Sequence, residues 1–192
     1  MKQPLQPMPA KPILVDFFNL RFDEAQHTLQ SATRALKNGA PEDVVFACLL
    51  HDTGMAIQKA DHGYVGAALY APYVDEKVAW AIRYHQALRF FPDPAVGYEY
   101  PEMYVEIFGK DFVPEPYIQR DYEYARKHKW YMAARLVTLN DEYSFDKSVH
   151  LTIDPFIDII GRNFKQPPEG LGRDDTPASW MWRTIINPTR PL

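Results

Sequence analysis

Four of the six histidines in this 192-residue sequence, together with two of its aspartates, have the types and the spacing expected of a metal site. Imidazole and carboxylate ligands without a thiolate suit borderline or hard divalent metals such as iron or manganese. A carboxylate placed between two ions could hold both. The set therefore predicts two adjacent divalent metal ions, iron or manganese, bound by His27, His51, Asp52, His62, His85 and Asp141.

The pair His51-Asp52 directly follows the apolar run from Val44 to Leu50. A helix that is apolar on every side would carry both ionisable residues into the interior, where each is costly unless something pairs with it. A metal cation is one such partner. An internal ion pair or a helix-end cap would also serve, so the dipeptide alone leaves these alternatives open.

Two of the other residues lie on helix faces that should turn inward. His85 follows Val78 at a spacing of two helical turns, and Asp141 follows Val137 at a spacing of one turn. A buried histidine or aspartate needs a partner, which a metal would provide. Asn140 could instead cap the end of the helix that carries Asp141.

The surroundings of the two remaining histidines allow two interpretations each. His62 precedes Gly63 and Gly66, whose small size lets a helix approach its neighbours closely, although two glycines also suit a loop hinge. His27 lies on the polar side of its helix, opposite Leu29, where the wall of a cavity and the solvent are equally suitable surroundings.

The elements that would position these residues have helical boundaries, and no β-branched run alternates long enough for a strand, so the predicted fold class is all-α. The segment from Phe90 to Pro116 is expected to be a loop, with one helical turn, that could cover a cleft. The expected helices run from a cap at Asp23 to Asn38, from Pro41 to near His51 with Gly54 closing it, from about His62 to Pro72, from a cap at Asp75 toward Pro92, over Glu102 to Phe108, from Tyr117 to Tyr143 with a break near His128, and from Asp154-Pro155 onward.

We expect one domain over residues 1–192, with a metal-binding core at about 23–146. The C-terminal part, 147–192, is predicted to hold a short helix and an irregular tail rich in proline and glycine. Trp180 and Trp182 are expected to anchor this tail against the domain.

Composition limits the class of function. A hydrophobic fraction of 46% with 24% charged residues is typical of a folded globular protein. The longest apolar run, Val44 to Leu50, is far shorter than the ~18 residues of a membrane span, and no secretory signal is recognisable, so we expect a cytoplasmic protein without a membrane partner. A net charge of −4 argues against a nucleic-acid partner. Cys48, the single cysteine, excludes an internal disulfide and is assigned no function.

The order and spacing of the six residues resemble the HD-domain superfamily. His27 and His51 lie 24 positions apart, and His62 and His85 lie 23 apart. The segment Asp61-His62-Gly63-Tyr64-Val65-Gly66-Ala67 is similar to the D-H-x-x-x-G-A signature of that superfamily. The resemblance covers about residues 23–146 and implies a compact helical bundle. It also implies a first metal held by His27, His51, Asp52 and Asp141, and a second that Asp52 shares with His62 and His85.

Dimetal sites of this kind hydrolyse phosphate esters or oxidise a bound substrate with dioxygen. The chain looks closer to the oxygenase branch, which includes myo-inositol oxygenase and the mixed-valence di-iron enzymes that cleave organophosphonates. This resemblance implies an Fe²⁺/Fe³⁺ pair, O2 as co-substrate and a small hydroxylated anionic substrate. Asp52 would be the catalytic bridge, and Arg89, four residues after His85, would orient the anion. A surface position on the last helical turn is the alternative for Arg89.

The alternative function is a metal-dependent phosphohydrolase acting on a nucleotide or another phosphate ester. A regulatory module with a degenerate site is disfavoured, because no ligand is missing.

Two features depart from the phosphonate oxygenases. Only ten positions separate Asp52 from His62, about half the gap expected, and Phe17 and Leu20 stand near the offsets where those enzymes place a tyrosine and a glutamate.

The oligomeric state is not predicted. Surface positions are expected for the weaker pocket candidates Lys59, Tyr64, Arg34 and Glu24, and for His128 and His150, which are left out of the site.

Overall fold

The computed structural model of the chain is all-helical, which confirms the predicted fold class. It describes residues 5–141, 144 and 146–189, and within them it contains ten α-helices, three short 3₁₀ helices and no strand. No described helix is long and apolar enough to cross a membrane. The α-helices are α1 (Leu14–Leu20), α2 (Ala25–Lys37), α3 (Glu42–Leu50), α4 (His62–Tyr70), α5 (Glu76–Leu88), α6 (Glu102–Phe108), α7 (Pro116–Ala125), α8 (Tyr131–Asp141), α9 (Ile157–Asn163) and α10 (Ser179–Ile186). The 3₁₀ helices are Thr53–Ala56, Pro94–Val96 and Asp154–Phe156.

Helix α3 forms the centre of the bundle. Every residue from Val44 to Leu50 is buried, and the helix packs against α2, α5, α8 and α9. A helix that is apolar on all sides needs neighbours on all sides. The C-terminal end of α3 therefore lies in the interior, where the chain continues into His51 and Asp52.

Close backbone packing joins this end of α3 to α4. Gly54 was expected to close α3, but it lies within the 3₁₀ helix that follows. A Cβ atom at Gly54 would lie 2.7 Å from the carbonyl oxygen of His62 and 2.8 Å from the amide nitrogen of Gly66. Gly54 is thus a position of close approach, and no larger residue would let α4 come so near.

Helix α4 approaches α5 in the same way. A Cβ atom at Gly63 would lie 3.0 Å from the carbonyl oxygens of Ile82 and Arg83, and one at Gly66 would lie 3.2 Å from Cγ2 of Ile82. The close-approach interpretation of Gly63 and Gly66 is confirmed, and the hinge interpretation is wrong because both residues lie inside α4.

Most predicted helix boundaries agree with the structure to within a few residues. The break near His128 is confirmed, because residues 126–130 separate α7 from α8. Asp23 does not cap α2, since Glu24 occupies the N-cap position and makes no capping hydrogen bond through its side chain. Pro41 immediately precedes α3 instead of beginning it. Tyr143 lies outside the described residues.

Two helices, α1 and α10, were not predicted, and they pack together. Trp182 of α10 is fully buried, and its ring lies 4.6 Å from that of Phe17 in α1. Trp180 is 55% exposed, with the guanidinium of Arg183 4.6 Å from its ring. Trp182 therefore anchors the C-terminal segment. The prediction that Trp180 is also an anchor was wrong, because side chains two positions apart on a helix point in different directions. Residues 190–192 lie outside the described part.

Candidate metal centre

The structure brings all six predicted side chains together at the inner end of α3. His27 comes from α2, His62 begins α4, His85 lies in the last turn of α5, and Asp141 ends α8. All six residues are buried. Their ligand-type atoms form two groups, within each of which the atoms lie within 4.8 Å of one another. The first group is His27, His51, Asp52 and Asp141, and the second is Asp52, His62 and His85.

The first group is arranged around Oδ1 of Asp141. This oxygen lies 2.9 Å from Nε2 of His27 and 3.5 Å from Nε2 of His51. The same His27 nitrogen lies 3.4 Å from Oδ2 of Asp52 and 3.3 Å from Nε2 of His51. Four nitrogen and oxygen atoms therefore converge on one point.

The second group is arranged around the other oxygen of Asp52. Its Oδ1 lies 3.1 Å from Nε2 of His62 and 3.3 Å from Nε2 of His85, and the two imidazole nitrogens lie 3.3 Å apart. Oδ1 is also 3.6 Å from Nε2 of His51. The two oxygens of Asp52 thus face different groups, which is the arrangement that a carboxylate bridging two ions requires.

Each of the four histidines is oriented by a hydrogen bond from its other ring nitrogen. A carbonyl oxygen can only accept, so Nδ1 must carry the proton, and the neutral ring then presents an unprotonated Nε2 to the cluster. This is the tautomer that a metal-binding histidine needs. The acceptors for His27, His51, His62 and His85 are the carbonyls of Ser144, Cys48, Lys59 and Ile82, at 2.9, 2.8, 3.0 and 2.6 Å respectively.

Two buried carboxylate oxygens test whether the site fits metal ions. Asp52 Oδ1 and Asp141 Oδ1 receive no hydrogen bond from the described residues, although imidazole nitrogens surround them. Lone pairs of nitrogen and oxygen at these distances repel one another unless a proton or a metal cation lies between them. A cation within each group would satisfy both kinds of atom. The residues are therefore compatible with two metal ions.

The pKa values of the two ends of the cluster shift in opposite directions. Burial lowers the pKa of His27, but the carboxylates of Asp141 and Asp52 outweigh it and raise the value to about 10. Burial lowers the pKa of His85 to about 4, because the neighbouring histidines add to the effect and Asp52 only partly opposes it. Burial opposes ionisation of Asp52 and Asp141, but the histidines around both and Arg89 beside Asp141 hold their pKa values well below the usual range.

Arg89 turns toward the cluster. Its side chain is 15% exposed, and its Nε lies 3.3 Å from Oδ2 of Asp141. The guanidinium carbon also lies 5.0 Å from the ring centre of Tyr104 in α6. The surface alternative for Arg89 is wrong, because Asp141 and the α6 ring hold the side chain inside. Tyr104 carried no signal in the sequence beyond its place in an aromatic segment.

A cavity of about 410 Å³ lies beside the second group and is called here the Arg89 cavity. It is bounded on one side by α6, so the segment predicted to cover a cleft does cover one. The cavity reaches the cluster at Asp52 and His62, and its lining does not include His27, His51 or Asp141. Its polar lining consists of Glu24, Asp52, Lys59, His62, Gln86 and Arg89.

The four weaker pocket candidates divide into two pairs. Lys59 is exposed, as expected, and Glu24 is half-buried; both line the Arg89 cavity. Tyr64 is 58% exposed, and its ring meets the guanidinium of Arg83 at 4.8 Å. Arg34 is half-buried and lines a separate surface pocket.

The two histidines left out of the site behave differently from each other. His150 is exposed, as expected. His128 is half-buried, and its ring stacks on that of Trp80 with the ring centres 4.5 Å apart. The expectation of an exposed His128 was wrong, because the turn between α7 and α8 folds back onto α5.

Burial raises the pKa of the Cys48 thiol to about 12, which agrees with assigning it no reactivity.

A family model described as HD domain matches residues 24–103, which is fewer than half of the residues but includes five of the six clustered side chains. A search of curated proteins finds no significant match to the chain. The similarity to HD domains and the buried two-group cluster together support a metal-dependent enzyme.

Proposed function

We propose that this chain, as a dimetal enzyme of the HD-domain kind, is a di-iron oxygenase that uses O2 to oxidise or oxidatively cleave a small hydroxylated anion of the organophosphonate type. The partners in this proposal are a small molecule and O2, with no nucleic acid and no membrane. A mixed-valence Fe²⁺/Fe³⁺ pair would supply the one-electron chemistry with O2 that amino-acid side chains lack.

The observation that carries the proposal is the position of Asp52 between the two groups. Its Oδ2 lies 3.4 Å from His27 and its Oδ1 lies 3.1 Å from His62, so one carboxylate can hold two ions side by side. Nitrogen and oxygen ligands without thiolate suit iron. The hydrogen bonds from each Nδ1 keep the imidazoles in place while ligands are exchanged.

The substrate is expected to bind on the side of the second group. That group contains three protein ligands whereas the first contains four, so it leaves more coordination positions for a substrate hydroxyl. The Arg89 cavity also reaches the cluster at His62 and Asp52. Arg89 is placed to orient the anionic group, because a guanidinium can pair with a phosphonate or carboxylate through two parallel hydrogen bonds.

The second candidate is a metal-dependent phosphohydrolase. The observation that favours it is the presence of two cationic side chains, Arg89 and Lys59, in one cavity with the cluster. A phosphate ester would match these charges as well as a phosphonate does. The metals would then supply an activated hydroxide for attack on phosphorus.

One set of measurements separates the two candidates. The chain is purified in air without chelator, its metals are analysed, and its electron paramagnetic resonance spectrum is recorded at low temperature with and without 2-hydroxyethylphosphonate. The oxygenase predicts iron, a mixed-valence signal that the phosphonate perturbs, and consumption of O2. Release of phosphate from nucleotides by a manganese or cobalt form, without O2 consumption, would support the phosphohydrolase instead. Asp52→Ala is the control for both activities.

A further inference from the structure

Helix α6 presents an apolar face to the Arg89 cavity. Met103, Tyr104, Ile107 and Phe108 all line the cavity, and their spacing places them on one side of the helix. Met103 remains 41% exposed, Ile107 62% and Phe108 43%. Apolar surface left open inside a cavity is stabilised when an apolar group covers it.

The lining of the cavity also contains charged side chains. Arg89 lies against both Asp141 and the ring of Tyr104, Lys59 and Glu24 are part of the same lining, and Asp52 and His62 connect the cavity to the six-residue cluster. A ligand in the cavity would therefore meet the cations Arg89 and Lys59 as well as the apolar side chains of α6.

The size of the cavity also favours a ligand with two parts. Its volume of about 410 Å³ lies within the range of small-molecule sites. Since a water molecule takes up about 30 Å³ in the liquid, the space holds roughly a dozen waters. A phosphonate with one or two carbons fills only a small part of this space and leaves most of the apolar α6 face uncovered.

We infer that the substrate carries an apolar chain or ring next to its anionic group, with Arg89 binding the anion and the α6 face binding the apolar part. This inference rests on the proposed function for its reactive end and adds the substrate class. The substrate's hydroxyl would lie at the second group, and its apolar end would determine specificity.

Calorimetric titration of the full-length chain loaded with Mn²⁺ tests the inference without any turnover. The probes are methyl-, propyl- and hexylphosphonate, which share one head group. Burial of each additional CH2 should tighten binding about fourfold, so hexylphosphonate should bind roughly sixty times more tightly than propylphosphonate if the whole chain is covered. Equal affinities for the three probes, or no binding of any, would overturn the inference.

Two substitutions on the same helix provide a matched comparison. Ile107→Gln places an amide in the cavity and should weaken hexylphosphonate binding about tenfold while leaving methylphosphonate binding unchanged. Val105→Gln is the control, since Val105 is 38% exposed on α6 and is not part of the cavity lining. Both sites are exposed, so the fold tolerates the changes. Equal effects of the two variants would count against the α6 face.

Failure of this inference and failure of the proposed function give different results. A preference for long chains without any O2 consumption in the iron form would support the apolar subsite and reject the oxygenase. O2 consumption driven by 2-hydroxyethylphosphonate, together with equal affinities across chain lengths, would support the oxygenase and reject the apolar subsite.

Discussion

Nε of Arg89 lies 3.3 Å from Oδ2 of Asp141, the carboxylate oxygen opposite the one that faces the imidazole of His27. The proposed anion-binding cation is therefore joined directly to a proposed metal ligand. One side chain could act on the substrate, on the metal through Asp141, or on both, and the first prediction separates these roles.

Arg89→Ala should weaken the binding of anionic probes by about tenfold to a hundredfold, because a hydrogen bond to a charged group contributes about 1.5–3 kcal/mol. Two metals per chain should remain, since Asp141 Oδ1 still faces His27 and His51. Titration of hexylphosphonate and metal analysis measure the two effects. Arg89→Lys should recover part of the affinity, as it keeps the charge but not the planar fork. Loss of a metal from the alanine variant would instead assign Arg89 the role of holding Asp141.

Asp52→Ala should reduce the metal content from two ions per chain to nearly none, because both groups lose the carboxylate that they share. Elemental analysis after gel filtration measures the loss, and circular dichroism checks that the helices remain. Asp158→Ala is the matched control, since Asp158 is exposed on α9 away from the cluster. Full metal content in the Asp52 variant would contradict the bridge.

His62→Gln should leave one metal per chain, because the second group would retain only His85 and Asp52 whereas the first group would be intact. Stepwise chelation of the unmodified chain should show the same order, with the metal of the second group leaving first. His150→Gln, at an exposed histidine, should retain both ions. Simultaneous loss of both metals from the His62 variant would argue that the two sites are not separable.

The chelator-treated chain should become less stable as the pH rises from 7 toward 10. The pKa of His27 is raised from 6.5 to about 10, so in this interval the folded chain holds a proton that the unfolded chain releases. The stability from this proton is complete below pH 6.5 and is lost as the pH approaches 10. Thermal midpoints at pH 7 and 9.5 should fall more for the unmodified chain than for His27→Gln. Equal falls would refute the raised pKa.

Gly54→Ala should destabilise the fold by about 1–3 kcal/mol, because the new Cβ would meet the backbone of His62 at 2.7 Å and α4 would have to move. Gly161→Ala is the counterpart in α9, where a Cβ meets nothing within 4 Å, and it should stabilise by about 0.4–1 kcal/mol. Urea unfolding measures both. A neutral Gly54→Ala variant would mean that α4 is not held as closely as the structure has it.

Local patterns were sufficient for the helices that carry the cluster. The all-apolar run from Val44 to Leu50 predicted a central helix, and the inward faces of α5 and α8 were recognisable because helical spacing places residues three and four apart on one side. The same rules failed for α10, since the segment around Trp180 and Trp182 is short and rich in proline and glycine. Its helix is stabilised by the contact of Trp182 with α1, which is distant in the sequence.

The sequence by itself determined the class of the fold, the inward positions of His85 and Asp141, and the presence of a cation four residues after His85, because these depend on residue type and on spacing within single helices. The identity and order of the six clustered residues followed from the resemblance of the sequence to the HD-domain superfamily. Only the tertiary structure decided that the oxygens of Asp52 face two groups, that Arg89 meets Asp141, and that the apolar face of α6 bounds the Arg89 cavity beside them. Such relationships join residues of different helices. They depend on how closely the helices pack, which a glycine such as Gly54 permits but which no spacing along the chain specifies.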